Sequence, residues 1–314
     1  MKIAILGAGA MGSVYGAILA RAGDNDVWLV DRWQDHIDAI RAHGLKVTGA
    51  SGDWMSPSKA TTDPAEVGLC ELVIVATKTR DIDSALAGAK PMIGPDTLVL
   101  SIQNGLGAYD ILVKSVSQDR LLLGIAGGFG ATIPTPGHVH HNGFEIVKIG
   151  ATTPEAQPAA ECVAKIWADA GFRAEAAPDI QSMIWSKLIC NVTYSAVCGI
   201  TGLTIGQVME TPEAWRVASA CASEAFAVAK ARGISLSFDD PVAYVRKFGS
   251  AIPGAKPSLL LDRLAGRQGE IDFLNGAVAD EGAKLGVPTP TNSIVAGLVR
   301  AMEAHDMRPA SHKN

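Results

Sequence analysis

At 314 residues the chain is longer than the usual single domain, and its 48% hydrophobic and 19% charged residues suit a globular protein with a sizeable core. A formal net charge of −5 leaves no basic surplus, which argues against nucleic acid and anionic membrane as partners. The five cysteines (Cys70, Cys162, Cys190, Cys198, Cys221) are odd in number and include no CxxC pair, so small buried thiols are expected rather than disulfides or a zinc site.

Met1-Lys2-Ile3-Ala4-Ile5-Leu6-Gly7 runs directly into glycines, without the longer apolar core and cleavage site of a signal peptide. No unbroken apolar stretch is expected to span a bilayer, and a cytoplasmic protein is the expectation. Ile3 to Leu6, Val27 to Val30, Leu72 to Ala76, Leu98 to Ile102 and Leu121 to Ile125 read as short, fully buried parallel strands. Met11 to Arg21, Gln34 to His43 and Ile82 to Pro91 carry helical spacing between them, and repeated β-α-β order predicts a doubly wound sheet. Thr132 to Val139 reads as turn plus strand and Phe144 to Ile149 as another strand, together an antiparallel extension of that sheet.

The character changes near Ala174 to Asp179. Helices are expected over Ile180 to Cys198, Pro212 to Arg232, Pro241 to Phe248, Glu270 to Leu285 and Thr291 to Ala304. Pro253 to Pro257 should be an ordered loop, and Arg308 to Asn314 a frayed tail. The expected division is a dinucleotide-binding α/β domain over 1–178 and an all-helical substrate and catalytic domain over 179–314.

Gly7-Ala8-Gly9-Ala10-Met11-Gly12 is a GxGxxG sequence between an apolar strand and a helical segment. Gly7 makes the tight turn, Gly9 lets backbone approach a pyrophosphate, and Gly12 lets helix and strand pack closely, as in a Rossmann-type fold. The helix N-terminus then points free N–H groups at the anion. Asp31 ends the second strand, where a carboxylate bonds adenosine ribose hydroxyls and repels a 2′-phosphate, which favours NAD(H). Arg32 follows and offers that phosphate a seat, so NADP(H) is the alternative. Lys78, at the end of the third strand, is placed for cofactor phosphate or ribose, although a surface lysine reads the same way. Asn104 closes the next strand in Ser101-Ile102-Gln103-Asn104-Gly105, with both a donor and an acceptor where a nicotinamide would lie.

Lys187, Asn191 and Ser195 recur at every fourth residue and share one helix face within an apolar segment. A polar stripe seeking a partner helix would look similar. Glu270 lies in Arg267-Gln268-Gly269-Glu270-Ile271-Asp272, where a glutamate also suits a first helical turn through the macrodipole.

These ordered residues resemble those of the ketopantoate reductase (2-dehydropantoate 2-reductase) family over almost the whole chain. The resemblance rests on the GxGxxG, Lys78, Ile102-Gln103-Asn104-Gly105, Lys187-x-x-x-Asn191, Ser258, and Glu270-Ile271-Asp272 followed by Asn275-Gly276. It implies NAD(P)H-dependent reduction of a 2-oxo acid, with Lys187 and Glu270 in the catalytic positions. It further implies that Asn104, Asn191, Ser195 and Ser258 hold substrate and that Gly7 through Gly12, Asp31, Arg32, Lys78, Asn104 and Ala131 meet cofactor. The resemblance places the site in a cleft between domains, with a small 2-oxo acid as ligand, and a homodimer is one candidate assembly. Two positions depart from the family pattern. Ser195 stands where pantoate-forming members often carry Asn, and Asp31 stands where better-studied NADPH-using members carry a basic residue.

Two other readings compete. A β-hydroxyacid dehydrogenase also uses a helical lysine with an amide one turn on, but Gly127-Gly128 lacks the serine pattern expected beside it. A catalytically silent NAD(P)-binding protein would share the fold, since fold alone does not supply chemistry. His138, His140 and His141 invite a metal, but no third ligand accompanies the two that share a strand face, so none is expected.

Overall fold

A computed structural model describes residues 1–128, 130–143 and 146–306, and the chain divides into two compact units. One comprises Met1–Gln103 and Ala108–Ile180, the other Asn104–Gly107 and Gln181–Asn314.

The first unit opens with β1 (Lys2–Leu6), α1 (Ala10–Arg21), β2 (Asp26–Val30), α2 (Gln34–His43), β3 (Leu45–Gly49), β4 (Trp54–Ser56) and β5 (Lys59–Thr61). It continues through α3 (Pro64–Val67), β6 (Leu72–Val75), α4 (Ile82–Ala89), β7 (Leu98–Ser101), α5 (Ala108–Leu112) and β8 (Leu121–Gly127). It ends with β9 (Gly130–Thr135), β10 (His138–Gly143), β11 (Ile146–Ala151), α6 (Gln157–Asp169) and β12 (Ala174–Ala176). The main sheet has eight strands in the order β12-β11-β8-β7-β6-β1-β2-β5. Strands β5 through β8 in that order pair in parallel, whereas β11 runs antiparallel to β8. All of β6 is buried, which accounts for its unbroken Leu72-Val73-Ile74-Val75 run.

Of the antiparallel extension expected over Thr132 to Ile149, β11 joins the main sheet, whereas β9 and β10 join β3 and β4 in a second, four-stranded sheet ordered β4-β3-β10-β9. The reason lies in α1. Residues Gly12 to Ala20 are all buried, and Leu45, Val47 and Val139 of the second sheet share one core cluster with Val14, Ala17 and Ile18. A helix apolar on every side needs cover on every side. The second sheet supplies it. Phe144 and Glu145, and the tail beyond Asp306, lie outside the described residues.

The second unit contains α7 (Ile180–Thr201), α8 (Ile205–Glu210), α9 (Pro212–Ala231), α10 (Pro241–Ala251), α11 (Ser258–Leu264), α12 (Asn275–Leu285) and α13 (Pro290–Asp306). By length and composition α7 is apolar enough to cross a membrane, and 67% of that stretch is buried inside the protein. The expected single helix from Glu270 to Leu285 is instead a 3-10 turn, Ile271–Phe273, followed by α12. Leu274 breaks the helix with φ −112 and ψ −105, while the Phe273 carbonyl accepts the Leu106 N–H at 2.9 Å. Short α8 and α11 escaped sequence reading; the loop between α10 and α11 is tied down where Pro253 and Ala255 carbonyls accept the Gly206 and Ile205 N–H groups.

A buried polar network pins four of these helices. Asn275 Nδ2 donates to the Val192 carbonyl of α7 at 3.0 Å and to Asn292 Oδ1 of α13 at 2.9 Å. Asn292 Nδ2 donates to the Cys221 carbonyl of α9 at 3.2 Å and to Glu224 at 2.8 Å. Glu224 also accepts the backbone N–H groups of Thr291 and Asn292 at the start of α13, at 2.8 and 2.9 Å. Bonds to a charged acceptor contribute about 1.5–3 kcal/mol each, and their loss orphans buried donors. Glu224→Ala is therefore expected to lower unfolding free energy by about 3 kcal/mol, read as a lower denaturant midpoint at constant slope. A change below about 0.5 kcal/mol, ordinary for surface substitutions, would show that the network adds little.

Candidate active site

The glycine-rich loop takes its shape from β1 and α1. Gly7 has φ +103, and a Cβ there would lie 2.7 Å from the Thr77 nitrogen. A Cβ on Gly12 would lie 1.9 Å from the Gly7 carbonyl oxygen, so α1 can cross β1 this closely only without a side chain. Gly9 differs from both. It is exposed, and a Cβ there would meet nothing within 4 Å. Ala8 is buried, while Ala10 and Met11 are half-buried in the first turn of α1. A tight turn, a close crossing and an open backbone face at a helix start fit a dinucleotide pyrophosphate.

Beyond the neighbouring strand ends, half-buried Asp31 accepts the Trp33 N–H at 2.9 Å through Oδ1, which fixes its carboxylate beside β2. The Arg32 guanidinium is 83% exposed and sits 3.6 Å from the Asp81 carboxylate, so this pair contributes little to stability. Half-buried Lys78 precedes the turn Thr79–Asp81 that follows β6. Gln103 Nε2 donates to the Val75 and Thr77 carbonyls at 2.7 and 3.2 Å, tying the ends of β6 and β7 together. Ala131 belongs to β9 of the second sheet, pairs with His141, and packs on the core of its unit.

The remaining candidates all belong to the second unit. Half-buried Lys187 and Asn191 and buried Ser195 follow one another along α7. Ser258 is exposed and opens α11, whose next residue, Leu259, packs so tightly that a Cβ on Gly199 would lie 2.1 Å from Leu259 Cδ2. Asn104 leads into Gly105, where a Cβ would lie 2.1 Å from the Phe273 carbonyl oxygen, three residues beyond Glu270. Half-buried Glu270 follows Gly269, whose N–H donates to the buried Glu303 carboxylate of α13 at 2.9 Å. Asn275 anchors the segment after Glu270 to Val192, the neighbour of Asn191. The segments bearing Asn104, Ser258 and Glu270 are thus joined to one another or to α7 by close contacts.

Burial lowers the Lys187 pKa from the usual lysine range to about 8. Such an ammonium is a far better proton donor near neutrality than an exposed lysine. The thiols of Cys190, Cys198 and Cys221 are pushed the other way by burial, up to about 12, which makes them inert packing groups. Cys162 departs from the expectation, being exposed on α6. His138 Nε2 and His140 Nδ1 both lie 2.9 Å from the Thr48 hydroxyl, and among the described residues no cluster of three metal-ligating side chains occurs.

Gln103 and Asn275 lie in motifs the sequence singled out, though without a role; Asn292 and Glu303 also hold this unit's segments in place, yet their partners are remote in sequence and no local spacing points to them.

Two family models match: "Ketopantoate reductase PanE/ApbA" over residues 3–154, and the C-terminal model of the same family over 179–303. The 2-dehydropantoate 2-reductase of Streptococcus pyogenes serotype M3 is 31% identical over 310 residues, covering 97% of this chain and 98% of the relative. The Archaeoglobus fulgidus enzyme of that name is 31% identical over 303 residues, covering 96% and 98%. The crystal structure of a PanE/ApbA family ketopantoate reductase from Ralstonia eutropha superposes with a TM-score of 0.89 at 34% identity, covering 98% of this chain and all of that one (100%). A ternary structure of D-mandelate dehydrogenase with NADH and anilino(oxo)acetate gives 0.90 at 29% identity, covering 98% and 99%. With both halves matched in order and near-complete coverage on each side, the chain belongs to the ketopantoate reductase family of NAD(P)-binding oxidoreductases.

Proposed function

We propose that this chain reduces the 2-oxo group of a small 2-oxo acid, with 2-dehydropantoate to pantoate as the reference reaction, and that it uses NADH in preference to NADPH. The observation that carries the reaction class is Lys187. It is an ammonium with pKa about 8, on the same helix face as an amide and a hydroxyl, in a chain whose relatives are named 2-dehydropantoate 2-reductases.

Gly7 through Gly12 would hold the cofactor pyrophosphate, Asp31 the adenosine ribose, and Lys78 a phosphate or ribose oxygen. A bound reduced nicotinamide supplies hydride to the C2 carbonyl carbon. Negative charge then grows on the carbonyl oxygen, where Lys187 Nζ donates a hydrogen bond and then the proton. Glu270 would orient the new hydroxyl and offset the lysine's charge. Ser258 and Asn104 would donate hydrogen bonds to the substrate carboxylate, while Asn191 and Ser195 face the rest of the acid. Ala131, packed into its own unit, would contribute at most backbone contact to the cofactor.

Two observations support the finer choices. Asp31 is held rigidly by the Trp33 N–H, and a fixed carboxylate repels a 2′-phosphate, while Arg32 is engaged with Asp81. Similar D-mandelate dehydrogenase structures are complexes with NADH. Ser195 reaches less far than the Asn that the family pattern carries there, so a terminal substrate hydroxyl loses a partner. A second reading follows from the same two residues: a 2-oxo acid with an apolar side chain, as in the D-mandelate dehydrogenase likeness, in place of 2-dehydropantoate.

Four experiments test these assignments. Lys187→Ala should lower kcat about 10²- to 10⁴-fold, the usual worth of a general acid, with cofactor affinity nearly unchanged. In the intact enzyme, carbonyl reduction should fall as pH rises through about 8, because Lys187 loses its proton there, and hydroxyl oxidation should rise across the same window. A variant keeping more than about a tenth of wild-type kcat refutes the assignment. Asp31→Ala should shift preference towards NADPH by about 1–3 kcal/mol, measured as the ratio of kcat/KM for the two cofactors; a wild type that strongly prefers NADPH would instead make Arg32 the selector. Finally, kcat/KM for 2-dehydropantoate should exceed that for 2-oxoisovalerate, which lacks the terminal hydroxyl, only modestly. A ratio above about 10⁴, typical of a site built to bond a hydroxyl, would mark a dedicated ketopantoate reductase.

A further inference from the structure

His36 in α2 is fully buried, although the catalytic reading does not use it. Its Nδ1 accepts the backbone N–H of Gly137 at 3.0 Å. A backbone N–H can only donate, so Nδ1 carries the lone pair and the ring proton sits on Nε2. Nε2 lies 3.2 Å from Ser13 Oγ and therefore donates to it. The single Ser13 hydroxyl proton goes on to the Ala8 carbonyl at 2.9 Å. The chain of bonds runs one way, from the turn between β9 and β10, through α2 and α1, into the glycine-rich loop. Gly137 can approach α2 this closely because it has no side chain: its φ is +76, and a Cβ would lie 2.8 Å from Ala39 Cβ.

The consequence follows from peptide geometry. In a planar trans peptide the C=O and N–H point in opposite directions, and no cis peptide occurs among the described residues. The Ala8 carbonyl points inward at buried Ser13, so the Gly9 N–H points outward, on the face where Gly9 is exposed and open. Without His36 the Ser13 hydroxyl would be free to turn to the Gly9 carbonyl four residues back, the ordinary habit of a helical serine.

We infer that His36 is a positioning residue for cofactor binding: through Ser13 it locks the Ala8–Gly9 peptide with its N–H aimed at the pyrophosphate of NAD(P)H. The inference rests on the glycine-rich loop being the cofactor site. Burial holds the His36 pKa below the ordinary histidine value, against the opposing pull of the Asp31 carboxylate. Its other neighbours, Ser13, Gly137 and the stacked Trp33 ring at 4.9 Å, carry no charge. Protonation would make Nδ1 a donor facing the Gly137 N–H and break the relay, so the lock fails on the acid side.

The test is NADH dissociation constants at pH 7.5 and 5.5 for wild type, Ser13→Ala, His36→Asn and His36→Gln, with kcat and KM for NADH alongside. Gln keeps an N–H at the Nε2 position; Asn is too short to reach Ser13. Ser13→Ala and His36→Asn should weaken NADH binding about tenfold, the worth of one well-placed hydrogen bond, and His36→Gln should recover most of it. The loss should appear in Kd and KM, with kcat at saturating NADH changed less than about twofold, since the bond acts on binding rather than chemistry. Any weakening of wild-type binding on the acid side should be largely absent in Ser13→Ala, which removes only one oxygen and keeps the test valid if His36→Asn folds poorly. Unchanged affinity in Ser13→Ala, or equal affinity in the Asn and Gln variants, overturns the inference alone. A wild-type protein that binds neither NADH nor NADPH overturns the reading of the loop and the inference with it.

Discussion

Helix α1 crosses β1 so closely that any side chain at Gly12 would strike the Gly7 carbonyl, and the first unit is organised around that crossing. Close approach places the start of α1 directly above the strand end, where its free N–H groups face a ligand. The same approach buries α1 on its far side too. A helix built from Val14, Tyr15, Ala17, Ile18 and Leu19, all buried, has no face to show water, so a second sheet must lie over it. That second sheet brings the turn at Gly137 onto α2. The close crossing that shapes the proposed dinucleotide loop thus also creates the element that steadies it.

In the second unit, α7 faces the opposite problem. It is apolar enough to be a core helix, yet carries Lys187, Asn191 and Ser195 along one side. Polar groups on a core helix are tolerated only where something holds the helix in register. The Asn275, Asn292 and Glu224 network does this by bonding the Val192 carbonyl and fixing the ends of α12 and α13. Its amide nitrogens donate to partners on α7, α9 and α13, which restricts sliding of α7 by a fraction of a turn in a way that apolar packing alone would not.

The parts legible from sequence were those in which local spacing dictates geometry. GxGxxG was legible because the motif's spacing carries its geometry: Gly12 meets the Gly7 carbonyl five residues back, although the Gly7 turn packs on distant Thr77 and Gly9 is left open for a ligand rather than for a neighbour. The runs at Ile3, Leu72 and Leu98 gave buried parallel strands for the same reason. Sequence reading failed where the deciding partner is distant. Thr132 to Val139 has the alternation of any edge strand, and nothing local says which sheet it joins; α1 decides that. Glu270 has the signature of a helix start, but the Phe273 carbonyl is claimed by Leu106, and the chain turns through a 3-10 segment before α12 begins. His36 looks like one more polar residue at the start of a surface helix, and its partner Gly137 is 101 positions away.

Under the proposed reaction, Lys187 sets function against stability. Its folded-state pKa, about 8, lies below that of an exposed lysine, so the folded chain binds the proton more weakly than the unfolded chain. Below about pH 8 the charged side chain therefore subtracts roughly 3 kcal/mol from stability, and the penalty fades as pH rises towards the unfolded value. A methionine of similar length would pack on α7 without that cost. What the penalty supports is an ammonium that can part with its proton near neutrality, and only a group that resists being charged can do so.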